Sequence, residues 1–146
     1  MGHEGRIAGM PYVQLDLPVA VPAAQRIPLA AAIGETYAET MQTEADRVSV
    51  AFRELGPDGV LRCHAEGPGR AIVVHADIRR GRPAEQRQRL ARALSALLAE
   101  QVQVPDVVVY FTEHDAQDIF RDGAWTTEWK APSREQKSRS EPRDSP

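Results

Sequence analysis

Two stretches of this chain repeat one pattern, and that repeat limits the fold more than any other feature. Residues 12–54 and 73–113 align when Pro22-Ala23-Ala24-Gln25-Arg26 is placed on Pro83-Ala84-Glu85-Gln86-Arg87, which brings Asp16 opposite Asp77. Each copy reads as strand, loop, proline-started helix, strand. Pro22 and Pro83 suit a first helical turn, where the missing N–H costs nothing. The spacing predicts strands at 13–17, 47–52, 71–78 and 107–111. Leu29, Ile33, Tyr37 and Met41 recur at steps of four in the first helix, with Pro28 placed to kink it or delay its start. Leu90, Leu94, Leu97 and Leu98, with Ala91 and Val102, form the apolar stripe of the second. The expected class is α/β (α+β), with two fused β-α-β repeats, 11–54 and 71–113, in a single domain spanning 11–130. Local pattern leaves two arrangements open. One is a ferredoxin-like antiparallel sheet; the other pairs the strands of each repeat in parallel, with right-handed crossovers.

The runs Ile72-Val73-Val74 and Val107 to Phe111 read as strands covered on both faces. Two helices cover only one face of a four-stranded sheet, so the other face is expected to pack against further copies. Between the repeats, Gly56-Pro57-Asp58-Gly59 reads as a turn, 60–64 as a short run and Gly67-Pro68-Gly69 as a break. After the last strand, Phe120 to Trp125 and Trp129 form an aromatic extension expected to pack on the body or on a neighbour. Residues 131–146 carry no large apolar side chain and are expected to be a disordered tail. Residues 1–10 are set apart as a leader.

Composition removes several function classes. A net charge of −3 and a pI near 5.8 argue against nucleic acid as a partner, and 5% aromatic residues leave little for base stacking. The one cysteine, Cys63, excludes an intrachain disulfide or a cysteine-based metal cluster. His64 and His114 are isolated, no two histidines have ligand spacing, and His75 reads as a structural residue within a strand, so no metal is expected. No segment is apolar enough to span a membrane or to serve as a secretory signal, and Arg6 breaks the myristoylation pattern after Gly2. A cytoplasmic protein is the expectation.

Met10-Pro11-Tyr12-Val13 opens the first strand of the first repeat. Val74-His75, Arg79, Gly81 and Arg82 follow in the second, then Val109-Tyr110-Phe111, Ala116-Gln117 and Glu128-Trp129. In this order, from Pro11 to Trp129, the chain resembles the tautomerase superfamily. It is most similar to the fused, double-length members, the group that contains cis-3-chloroacrylic acid dehalogenase. The resemblance implies a four-stranded mixed sheet with two helices on one face and a homotrimer. It implies an enzyme acting on small 2-oxo or unsaturated carboxylates with no metal or organic cofactor. Pro11 would be the general base, or the acid once protonated. Arg79 and Arg82 would bind the carboxylate, Tyr110 would act as an auxiliary catalytic group, and Tyr37 would line the substrate pocket.

The chemistry is physically coherent. A proline amide has no basic lone pair, but an N-terminal proline is a secondary amine. Apolar burial and nearby cations disfavour its protonated form, so it can be neutral near pH 7. Guanidinium forks match carboxylate geometry. Pro11 reaches this state if translation begins at Met10 and that methionine is removed. Tyr37 stands where the dehalogenases carry a histidine, and Arg121, beside Asp122, stands where they carry a water-activating glutamate. Keto–enol tautomerisation, which needs only base and clamp, is therefore favoured over hydration or dehalogenation. The competing expectation is a noncatalytic ferredoxin-like or tautomerase-like module that binds small anions through Arg79 and Arg82 or serves as a structural subunit. Parallel pairing of 13–17 with 47–52 separates the tautomerase arrangement from the ferredoxin-like one.

Overall fold

The computed structural model describes residues 11–127 and Ala131. The leader, the tail and the Glu128-Trp129 pair lie outside the described residues. Strand β1 (Tyr12–Leu17) leads into helix α1 (Ala23–Met41), a short 3-10 turn (Ala45–Arg47) and strand β2 (Ser49–Glu54). A hairpin of β3 (Leu61–His64) and β4 (Gly67–Arg70) joins the repeats. Then come β5 (Ile72–Arg79), helix α2 (Ala84–Val102), β6 (Val107–His114) and a last hairpin, β7 (Phe120–Arg121) with β8 (Ala124–Trp125).

The main sheet has the order β2-β1-β5-β6. β1 pairs with β2 in parallel, β5 with β6 in parallel, and the two repeats meet where β1 runs antiparallel to β5. Parallel pairing within each repeat rules out the ferredoxin-like arrangement. Both helices lie over one face. Val13, Leu15 and Leu17 of β1, Ile72, Val74, Ala76 and Ile78 of β5, and Leu90, Leu94 and Leu98 of α2 are fully or almost fully buried there. Leu29, Ile33, Tyr37 and Met41 supply the α1 side, as their four-residue spacing predicts. Leu94 is 0% exposed, so Leu94→Ala is expected to cost about 2–5 kcal/mol, read as a lower midpoint in guanidinium unfolding.

Several expectations are corrected. Pro22 and Pro83 flank the helices as extended N-cap residues, with ψ of 142° and 156°, rather than sitting in the first turn. Pro28 lies within α1 and does not delay its start. β2 begins at Ser49 rather than Arg47, because Ala45–Arg47 close a 3-10 turn first. The Gly67-Pro68-Gly69 segment is not a break but strand β4, paired with β3. Pro68 is tolerated there because the ribbon has only two strands and needs no continuous ladder of donors. Arg62 and His64 fasten the ribbon to Asp106 at 2.9 and 3.1 Å. Phe120 and Trp125 pack edge to face at 5.3 Å and are each more than half exposed, while the buried Thr126 next to Trp125 donates to the Ala116 carbonyl at 2.8 Å.

The open face of the sheet is less apolar than the strand runs predict. Alternation brings Val73 and Val108 to that face together with the more polar Tyr12, Gln14, His75, Asp77, Tyr110 and Thr112, which lie in register with one another. Tyr12 and Tyr110 stand out among them as exposed large side chains.

Candidate active site

Pro11 precedes β1. It is buried, and its carbonyl accepts a hydrogen bond from the Ser49 N–H at 3.0 Å. Because β1 is antiparallel to β5, with Tyr12 opposite Asp77, this end of β1 is where β5 finishes at Arg79. The chain then turns through Gly81, whose φ of +117° is open to glycine at little cost, and comes back with Arg82. Arg82 Nε donates to the Met41 carbonyl at 3.3 Å, and Gln86 Nε2 donates to the Thr40 carbonyl at 3.2 Å. These carbonyls belong to the last turn of α1, where the helix leaves its acceptors without intrahelical partners and favours a cation. The loop before α2 is thus latched onto the end of α1 that carries Tyr37.

Arg79 and Arg82 are 9% and 8% exposed, and Tyr37 is 2% exposed. Burial pushes the Tyr37 phenol up to about 12, while the positive charges of Arg82 and Arg79 pull it the other way. Burial likewise brings Arg82 down to about 10, with the Tyr37 phenol opposing and Arg79 adding to the shift. At pH 7 the result is a cationic Arg82 beside a neutral phenol that can donate a hydrogen bond. A phenol whose ionised form is disfavoured keeps its proton as pH rises through 10. Ultraviolet titration should therefore show one of the three tyrosines ionising only near pH 12, and Tyr37→Phe should remove that step.

Tyr110 does not join this group within one chain. It lies midway along β6 on the open face, 54% exposed, with its ring 5.6 Å from that of His75 across the β5–β6 pair. On the same face, Thr112 donates to Asp77, and His114 lies 3.4 Å from that carboxylate. Arg121 pairs with Asp122 at 3.3 Å, and both line a cavity of about 230 Å³ with Asp46 and Arg47. The carboxylate nearest in sequence to the dehalogenase glutamate position is therefore engaged by its own neighbour. Cys63 is exposed on the β3–β4 ribbon. No group of three or more His, Cys, Asp or Glu side chains among the described residues could hold a metal ion. No described helix is long and apolar enough to cross a membrane.

Sequence reasoning missed two features of this site. One is the pair of α1 carbonyls that receive Arg82 and Gln86. The other is a set of ion pairs around Arg80: to Asp115 at 2.9 Å, and to Glu113 at 3.5 Å, with Arg87 also on Glu113 at 3.7 Å. Nothing in the sequence names the acidic partners of Arg80.

No family model matches the chain, and no curated protein matches it. Solved structures do. N1, a member of the cis-3-chloroacrylic acid dehalogenase (cis-CaaD) family, superposes with a TM-score of 0.69 at 21% identity, over 90% of this chain and 92% of its own. Pt0534 inactivated by 2-oxo-3-pentynoate gives 0.67 at 20% identity, over 79% and 95%. The Q0 fused 4-OT symmetric trimer gives 0.67 at 19%, over 78% and 94%. The chain has the tautomerase superfamily fold in its fused, double-length form.

Proposed function

We propose that the protein is a tautomerase that uses Pro11, once it is the N-terminal residue, as general base and acid on small 2-oxo carboxylates. The observation that carries this reading is the gathering of Pro11, Tyr37, Arg79 and Arg82 at one end of the sheet, with both arginines and the tyrosine buried. The fork of Arg79 and Arg82 binds the carboxylate. The neutral Tyr37 hydroxyl donates to the 2-oxygen. The Pro11 nitrogen takes the enol proton as C2 becomes a carbonyl, and the proton is delivered to C3, so the step is neutral overall. Pt0534 is inactivated by a 2-oxo carboxylate, which supports this substrate class.

The working form is a homotrimer, as in the fused 4-OT trimer. Tyr110 faces away from its own chain's cluster. It can serve a site only where the open face of one copy meets the cluster of another. Hydration and dehalogenation are secondary, because Tyr37 and Arg121 stand where the dehalogenases carry a histidine and a water-activating glutamate.

Intact-mass measurement of the protein made from its native transcript tests the reading first, and the expected product begins at Pro11. That chain should ketonise phenylenolpyruvate and sediment as a trimer. A natural product that retains residues 1–10, or a Pro11-initiated chain with no ketonisation above the buffer rate, would leave a noncatalytic anion-binding module.

A further inference from the structure

Arg79 and Arg82 are both buried, and the charge of Arg79 acts against that of Arg82. Gly81 turns the chain between them but has no side chain with which to hold the turn in place. Arg82 is tied to the end of α1 through the Met41 carbonyl. The other flank of the loop is tied by Arg80. Its N–H donates to the His114 carbonyl at 2.8 Å, its Nε donates to Asp115 at 2.9 Å, and a terminal guanidinium nitrogen lies 3.5 Å from Glu113. Glu113 also receives Arg87 from the first turn of α2 at 3.7 Å. One carboxylate therefore spans the loop and the helix that follows it, and two carboxylates sit outside a loop whose two buried members are cations.

We propose that Arg80 is a positioning residue: its ion pairs with Asp115 and Glu113 hold the 79–82 loop so that Arg79 and Arg82 converge on one carboxylate. The inference rests on the reading of those two arginines as a carboxylate clamp. Arg80 itself touches no substrate. Its side chain is 58% exposed and that of Asp115 60%, and exposed ion pairs contribute little to global stability. Loss of the pairs should therefore show in clamp geometry and not in melting temperature.

The test uses the full chain, with phenylpyruvate as the anionic probe in calorimetry and with amide exchange of residues 79–82. Arg80→Ala and Asp115→Ala are expected to weaken phenylpyruvate binding about 10-fold, since small displacements of a binding group are costly. Loop exchange should rise in both variants while the melting temperature stays unchanged. Arg80→Lys, which keeps a positive charge facing both Asp115 and Glu113, should retain most of the affinity that Arg80→Ala loses. Wild-type affinity and wild-type exchange in Arg80→Ala would overturn the positioning role. If Arg79→Ala and Arg82→Ala still lost the probe, the clamp would stand. If those two variants also bound phenylpyruvate normally, the clamp reading itself would fall, and this inference with it.

Discussion

A chain that begins at Pro11 should lose about 10²–10⁴-fold in ketonisation rate when a single residue is added ahead of the proline, the range expected for removal of a general base. The added residue converts a secondary amine into a tertiary amide, which has no basic lone pair. The fold should be indifferent to that change. The Pro11 carbonyl, which receives the Ser49 N–H, is untouched, and β1 keeps its register with β2 and β5. Binding of phenylpyruvate to Arg79 and Arg82 should persist, because the clamp lies on the other repeat. Rate is then lost while affinity is kept, the pattern expected when only a reacting group is removed. Pro11→Ala is the milder variant, since it retains a primary amine of pKa about 8. It should fall between the parent and the extended chain. Equal rates for all three chains, measured as the decay of phenylenolpyruvate absorbance, would show that the proton moves by another route.

Much of this site can be read in the sequence, and what cannot be read has definite physical causes. The spacing of Leu29, Ile33, Tyr37 and Met41 predicts a buried face because a helix repeats every 3.6 residues, and all four are buried. Arg79 and Arg82 are singled out by the resemblance of Val74-His75, Arg79, Gly81 and Arg82 to the tautomerase pattern. The direction of strand pairing cannot be read, because a parallel and an antiparallel neighbour impose the same alternation on β1. The β3–β4 ribbon is hidden because Gly67 and Pro68 have low strand propensity, yet a free two-stranded ribbon tolerates both. Which of three closely spaced arginines turns inward also escapes local pattern. That depends on the hand of the turn at Gly81 and on acceptors far off in the chain: the Met41 carbonyl for Arg82, and Glu113 and Asp115 for Arg80. Tyr110 shows the complementary limit. Its place on β6 is predictable, but its side chain lies on the open face of the sheet, away from its own chain's Arg79 and Arg82.

Arg82→Ala should have the second large effect, and its direction separates binding from chemistry. Arg82 is cationic at neutral pH even with its pKa brought down to about 10, and it is held in place by the Met41 carbonyl. A hydrogen bond to a charged group contributes about 1.5–3 kcal/mol, so removing one such bond to a carboxylate should lower kcat/KM by roughly 10- to 150-fold. Most of that loss should appear in KM, because the carboxylate is bound equally in the ground state and the transition state. A substrate with an amide in place of the carboxylate should barely respond to the substitution. Arg82→Lys preserves charge but not the fork. A lysine can reach either the Met41 carbonyl or the substrate as a point charge, and cannot align two parallel donors. It should therefore recover only part of the lost affinity. The same comparison at Arg79 tests whether the two arginines act as one clamp. If they do, the double alanine variant should lose less than the product of the two single losses, because a carboxylate that has lost one arm of the fork is no longer aligned for the other.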